Sequence, residues 1–295
     1  MNQTHFFIVN PAAGKGKAGK KINLLIELLN KYKLEFKIEL TKGKFHASIL
    51  AKEAAEKGFQ NIIAVGGDGT INEVVSGIIQ SGKDINFGII PEGGGNDLAR
   101  NFRISSNVKK AVKLILKKKV IRIDAGKVED FYFINSFGIG MDAKVAEYAS
   151  KAKILNGLPR YIFAVLKALT KMRTYQMEVS INEMKITSDF TMVSIGNGKY
   201  CGGGFMLTPN AAADDGLFDI CLIDKVNRKR ILKLLPSALK GKHINEPEVT
   251  IKRSCKIRIQ TNEKIPIYFD GEIPTLKNPN DFTIELLPKR INLIC

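Results

Sequence analysis

The sequence predicts two domains: an α/β domain built on a parallel sheet, followed by a β-rich domain of the sandwich type. Three observations carry the prediction. Up to Asp124, short apolar β-like runs alternate with amphipathic helical stretches, which is the pattern of a parallel sheet with right-handed crossovers and helices on both faces. Beyond Asp124 the rhythm changes to short alternating segments separated by Gly, Asn and Asp turns, the pattern of antiparallel sheet with one buried side. Glycine-rich turns also stand where strands of the first part give way to helices. The domains are set at 1–124 and 125–287.

Taken in order, "HFFIVN" is the first strand, and Ile22, Leu25, Ile26 and Leu29 then repeat at helical spacing. "FKIEL" is the second strand and "HASILAKEAAEKG" the second helix, closed by Gly58. "NIIAV" is a third strand whose unbroken apolar character predicts burial on both faces. "INEVVSGII" follows as helix and "NFGIIP" as strand. In the second part, "VIRID", "GKV", "FYFINS", "QMEVSI", "TMVSIG", "FDICLI", "VTIKRS" and "CKIRIQT" read as strands. "KIRIQ" puts Ile257 and Ile259 on one face and Lys256, Arg258 and Gln260 on the other. Only "PRYIFAVLKALTKM" and "RKRILKLLPSAL" read as helices there. A cleft between domains is a favoured place for a ligand pocket, so function is expected there.

Composition narrows the class. The chain has 295 residues, and no apolar run approaches the ~20 needed to span a bilayer. The N-terminus lacks a signal-peptide layout, so a cytoplasmic protein is expected. Four cysteines lie far apart without a C-x-x-C, and three histidines are scattered, which points to neither a zinc site nor a disulfide framework. A net charge of +17 favours polyanions: nucleic acid, phosphorylated ligands or an anionic membrane. The clusters Lys117–Lys119 and Arg228–Arg230 read as solvated surface. No RNA- or DNA-binding motif appears, so nucleic acid is not an expected partner.

The chemistry concentrates in the glycine turns. In "NIIAVGGDGTINEVV" a buried strand ends at Val65, Gly66, Gly67, Asp68 and Gly69 turn, and Thr70 is placed to cap the next helix. Glycines let backbone N–H groups approach a phosphate, and a helix N-terminus adds a positive dipole end. An aspartate in such a loop repels the ligand unless a cation intervenes, which makes Asp68 a candidate Mg²⁺-linked carboxylate. "IIPEGGGNDLARNF" repeats the theme one strand later, and both turns are expected at the carboxyl edge of the sheet. "GKGKAGKK" fits two templates at once. As a P-loop it fails because Lys21 stands where Ser or Thr must hold Mg²⁺. As a dinucleotide fingerprint it finds an acid, Glu39, at workable spacing, yet that fold explains neither of the other two glycine turns. One triphosphate shared by three turns, with Lys15, Lys17 or Lys20 adding charge, is the simpler account.

Together, "IVNPAAGKGKA", "VGGDGTINEVVSGI", "IPEGGGNDLARNF" and "FDGE" resemble the diacylglycerol kinase catalytic-domain family, particularly its bacterial soluble lipid kinases; sphingoid-base kinases also belong to it. The likeness runs from about residue 4 to 294. It implies a Rossmann-like α/β nucleotide domain completed by residues 288–295, a C-terminal β-sandwich carrying the lipid site, and ATP bound in the interdomain cleft. By motif match the nucleotide contacts are Asn10, Pro11, Ala12, Ala13, Gly14, Thr41, Gly66, Gly67, Asp68, Gly69, Thr70, Ile71, Asn72 and the Gly94 position. Gly94 departs from the family's usual Thr and leaves only backbone amides for that contact. Asp68, Asp97 and Asp124 resemble the family's acidic network around the catalytic Mg²⁺. "NAAADDGLFDI" is similar to its structural metal loop, in which Asp215 and the carbonyls of Ala212 and Leu217 hold a second Mg²⁺.

The resemblance further implies transfer of the γ-phosphate of MgATP to a lipid hydroxyl, with diacylglycerol first among acceptors and phosphatidic acid and ADP as products. A sphingoid base, phosphatidylglycerol or NAD are the alternative acceptors, and a non-catalytic nucleotide- or nucleic-acid-binding protein is the alternative outside catalysis. Phosphorylating a hydroxyl requires a base. In "IYFDGEIP" the candidates are Asp270 and Glu272, separated by Gly271, which permits a turn between them. Glu272 is the preferred proton acceptor, with Asp270 at the Mg²⁺ or sharing the base role; Asp68 completes the catalytic set. "LPRYIFAVLKALTKM" carries Ile162, Val165, Leu166 and Leu169 on one face, rimmed by Arg160, Lys167, Lys171 and Arg173. That face either meets an anionic bilayer transiently or packs on the sandwich. "CGGGFMLTP" is a candidate mouth for the lipid, and a homodimer is plausible by family.

Overall fold

The structure is a computed structural model that describes residues 4–152, 155 and 157–295. The chain divides into two compact units: residues up to Ile123 with Lys289–Cys295, and Asp124–Pro288.

In the first unit β1 (His5–Val9) leads into α1 (Ala13–Lys20) and α2 (Ile22–Lys31). Then come β2 (Phe36–Leu40), α3 (His46–Glu56), β3 (Asn61–Gly66), α4 (Asp68–Ser81), β4 (Asn86–Pro91), α5 (Asp97–Asn101) and α6 (Val108–Lys117). The four strands are parallel in the order β2-β1-β3-β4, with His5 opposite both Phe36 and Asn61, and Asn61 opposite Asn86. As the unbroken apolar run predicts, all of β3 is buried, and Phe7, Val9, Ile63, Val65 and Ile90 pack with Leu25, Leu29 and Val112 from the helices. α1 is only nominally a helix. Gly14, Lys15 and Gly16 all have positive φ, so the first glycine turn is a left-handed loop.

The second unit follows β5 (Val120–Val128), which begins in the first. Its elements are β6 (Phe131–Phe133), β7 (Ser136–Gly140), α7 (Met141–Lys151), α8 (Gly157–Thr170), β8 (Tyr175–Ile181), β9 (Met184–Gly196), β10 (Phe218–Asp224) and α9 (Arg228–Ala238). β11 (Val249–Ser254), β12 (Lys256–Gln260), β13 (Ile267–Phe269) and β14 (Asp281–Ile294) complete it. β9 is the long central strand: residues 184–190 pair with β8 and residues 192–196 with β7, both antiparallel. Ile257 and Ile259 of β12 point inward, as their alternation predicts, into a core of Phe133, Phe137, Phe218, Phe269 and Ile284. β14 pairs with β12 through Asp281–Glu285, and its last residues pair parallel to β4 in the first unit's sheet.

Four expectations need correction. α4 starts at Asp68 with Gly67 in the cap position, so Thr70 lies inside the helix and caps nothing. "FYFINS" is two strands, broken where the backbone N–H groups of Ile134 and Asn135 turn to the Asp270 carboxylate. α7 is a third helix in this unit, buried through Met141, Ala143 and Ala149; such small residues give little apolar periodicity. On α8 the single apolar face splits: Val165 and Leu169 are buried, whereas Ile162 and Leu166, with Phe163, are exposed.

Candidate active site

Three glycine turns lie at the carboxyl ends of β1, β3 and β4, and specific contacts join them into one surface. Asn10 Nδ2 donates to Thr70 Oγ1 at 2.9 Å, linking the first turn to the second, while Asn10 Oδ1 accepts from the N–H of Ala12 at 3.1 Å. Pro11 and Gly19 close the first turn through a backbone hydrogen bond of 3.2 Å. Gly14 lies against the third turn: a Cβ there would stand 2.5 Å from the Glu92 carbonyl oxygen. Lys21, the residue that spoils the P-loop template, donates to both Glu92 carboxylate oxygens at 2.6 and 2.8 Å. The second and third turns meet backbone to backbone, since a Cβ on Gly93 would fall 2.5 Å from the Gly67 Cα. Gly66 is equally constrained by the Thr70 side chain, 2.7 Å from a Cβ. These glycines are needed for close approach, whatever they bind.

Asp68 is the staple between the second and third turns. Its Oδ2 accepts from the N–H of Asn96 at 2.8 Å and its Oδ1 from that of Asp97 at 2.9 Å. Burial pushes its carboxyl above the ordinary range, and these N–H groups oppose the shift. The carboxylate is only half-buried, so it can still meet a cation. Asp97 is buried beside it, and Ile71 and Asn72 are buried in α4. Gly69 follows Asp68 at the helix start, and Gly94 lies half-buried in the third turn. Asn96 carries a signal that glycine counting overlooks. Its φ is 54°, a region Asn tolerates, and its side chain closes the third turn on Gly93 N–H at 2.8 Å and Gly93 C=O at 3.1 Å. Lys15, Lys17 and Lys20 are exposed, and the N–H of Thr41 bonds Val9 C=O at 2.9 Å at the edge of the same sheet.

The remaining candidates belong to the second unit. Asp124 is fully buried there: its Oδ2 accepts from the N–H of Gly216 at 2.8 Å, and its own N–H donates to Ala213 C=O at 2.6 Å. Asp270 is buried, with its carboxylate facing the N–H groups of Ile134 (2.6 Å), Asn135 (3.1 Å) and Ser136 (2.9 Å). It therefore holds the β6–β7 break, a role nothing in the local sequence announces. Positive φ at Asp270 and Gly271 turns the chain ahead of Glu272, which is half-buried; Phe269 and Glu272 pair through backbone bonds of 3.0 and 2.7 Å.

The residues expected to hold a second Mg²⁺ lie together in the loop before β10. Asp215 Oδ1 accepts from the N–H of Leu217 at 3.1 Å, and its Oδ2 pairs with the Arg253 guanidinium, which also lies 3.4 Å from the buried Asp219. Ala212 and Leu217, both half-buried, offer carbonyl oxygens, which are hard donors. Among the described residues no cluster of three ligating side chains occurs.

The second unit also contains an apolar pocket of about 640 Å³, including its open mouth. Val165 and Tyr161 of α8, Met192, Phe205, Leu234 and Ile231 line it, with Cys201 and Gly202 of the "CGGGF" segment at its wall. Among the described residues that line it, Asp142 is the only carboxylate. Its side chain lies against Gly138, and its Oδ2 is shielded without a hydrogen-bond partner. Burial pushes the carboxyl up to about 6, only partly offset by the Ser194 hydroxyl. A folded-state value above the unfolded one means that stability is greatest below about pH 4 and is lost as pH rises through 6. Asp142→Asn is accordingly expected to raise stability at pH 8 by about 2–3 kcal/mol and to give no gain at pH 3.5. Urea unfolding at the two pH values checks this; an equal effect at both would contradict it.

Comparison with known proteins gives a consistent set of relatives. The family model for the diacylglycerol kinase catalytic domain matches residues 4–128, and that for the YegS C-terminal NAD kinase beta sandwich-like domain matches residues 135–295. A diacylglycerol kinase of Mycobacterium tuberculosis is 32% identical over 273 residues, covering 90% of this chain and 87% of its own. One from Bacillus subtilis is 29% identical over 267 residues, covering 90% and 88%. A crystal structure of a diacylglycerol kinase from Bacillus anthracis superposes with a TM-score of 0.81 at 28% identity, covering 99% of this chain and 96% of that one.

Proposed function

The chain belongs to the diacylglycerol kinase family, whose kinases transfer phosphate to an alcohol acceptor, and we propose that it moves the γ-phosphate of ATP to the hydroxyl of diacylglycerol, giving phosphatidic acid and ADP. The observation that carries the lipid acceptor is the apolar pocket beneath α8, whose lining suits acyl chains rather than a water-soluble molecule. The interlocked glycine turns support the donor side: backbone N–H groups and the start of α4 orient the triphosphate, and nearby lysines add charge. Asp68 and Asp97, with hard oxygen donors, would hold the divalent cation used with ATP, which when bound neutralises the phosphates. Glu272 accepts the proton of the attacking hydroxyl, and Asp270 fixes the turn that carries it.

Lipid reaches the pocket through α8. One side of that helix lines the pocket, and Ile162, Phe163 and Leu166 are exposed on it together with Lys167 and Lys171. Exposed apolar side chains beside cations suit an anionic bilayer surface, as does the net charge of +17. Among the described residues no helix is long and apolar enough to cross a membrane. Because the C-terminal match describes a NAD kinase-like sandwich, NAD is the acceptor to test in parallel. The expected result with γ-labelled ATP is labelled phosphatidic acid from anionic vesicles containing diacylglycerol, and no labelled NADP. Label in NADP with none in any lipid would overturn the reading.

A further inference from the structure

We infer that Phe45 is the platform on which the base of the nucleotide stacks; this rests on the reading of the glycine turns as a nucleotide site. The order β2-β1-β3-β4 puts the topological switch between β1 and β3, where open α/β sheets bind ligands beyond their carboxyl ends. When phosphates lie at such a switch, the ribose end of a nucleotide lies toward the carboxyl end of the neighbouring β2. The chain leaves that strand through Thr41 and reaches Phe45 four residues later.

Phe45 is 58% exposed, and its φ of 63° lies in a region that bulky side chains avoid. The conformation is held from outside. Glu73 of α4 accepts the N–H of Phe45 at 2.9 Å with Oε1 and that of Ala47 at 3.1 Å with Oε2. Glu73 follows Asp68 by five residues, about 7.5 Å along the helix axis. The helix that begins at the phosphate turn thus also fixes the backbone that carries the aromatic ring, at a distance suited to the other end of a nucleotide. Burial does not explain the strain, because the ring remains in solvent. A π face on a fixed backbone beside a phosphate surface is chemistry for a nucleobase; the Lys44 ammonium stands over one face of the ring, 5.5 Å from its centroid, and the base takes the other.

The test uses a convenient feature: the chain has no tryptophan. In Phe45→Trp the single indole should be quenched as ATP binds and should not respond to inorganic tripolyphosphate. Phe45→Gly suits the left-handed backbone and should melt no lower than wild type. Its ATP affinity should fall about tenfold, as loss of one stacked base predicts, with tripolyphosphate affinity unchanged. Unchanged indole emission while calorimetry shows ATP bound, or an unchanged Kd for ATP in Phe45→Gly, would overturn the inference. If wild type bound tripolyphosphate but not ATP, the base platform would be overturned while the phosphate surface stood. If it bound neither, the nucleotide reading would fall and this inference with it.

Discussion

Glu272→Gln is expected to lower kcat by about 10³-fold while ATP affinity stays at the wild-type value. The substitution keeps the size of the side chain and removes only its capacity to take a proton. Its backbone is fixed by two hydrogen bonds to Phe269, so the amide should sit where the carboxylate did. ATP is assigned to glycine turns in the other unit, which this side chain does not build. Initial rates with diacylglycerol vesicles, beside calorimetry with ATP, separate the two effects. A kcat near wild type would remove Glu272 from the mechanism.

Asp270→Ala is expected to fail in a different way, by unfolding. Three backbone N–H groups, from Ile134, Asn135 and Ser136, converge on that buried carboxylate across more than a hundred residues of sequence. Leaving buried donors unpaired costs about 1–3 kcal/mol each, so a loss of about 3–5 kcal/mol is expected, or about 10 °C in Tm. The backbone of Asp270 itself has a φ of 43°, a conformation maintained because its side chain is so heavily engaged. Asp270→Asn keeps one accepting oxygen and should fall between. Thermal melts followed by circular dichroism decide the matter. If Asp270→Ala melted like wild type and lost only turnover, the residue would be catalytic and not the anchor of the β6–β7 break.

The fold class was legible because its signals are local. The unbroken apolar run of β3 and the alternation of β12 each encode their burial directly. α7 escaped because it packs through alanines, and the β6–β7 break escaped because its cause, Asp270, lies far along the chain. On the α8 face, spacing alone could not show that Ile162 and Leu166 remain in solvent while Val165 and Leu169 do not. The glycine turns could be picked out by composition, but not the contacts that join them. That Lys21 pairs with Glu92 of the third turn, and that Asn10 reaches Thr70, are facts of tertiary structure. Phe45 gave no signal at all, since nothing in its neighbours demands a left-handed backbone there.

The central event is transfer of a phosphoryl group from ATP to a lipid hydroxyl, and isotopic labelling follows that transfer directly. With enzyme in excess over ATP carrying ¹⁸O on its γ-phosphoryl group, and diacylglycerol in anionic vesicles, mass spectrometry should find the heavy phosphoryl group in phosphatidic acid. Heavy oxygen appearing only in inorganic phosphate, or only in a water-soluble product, would contradict it.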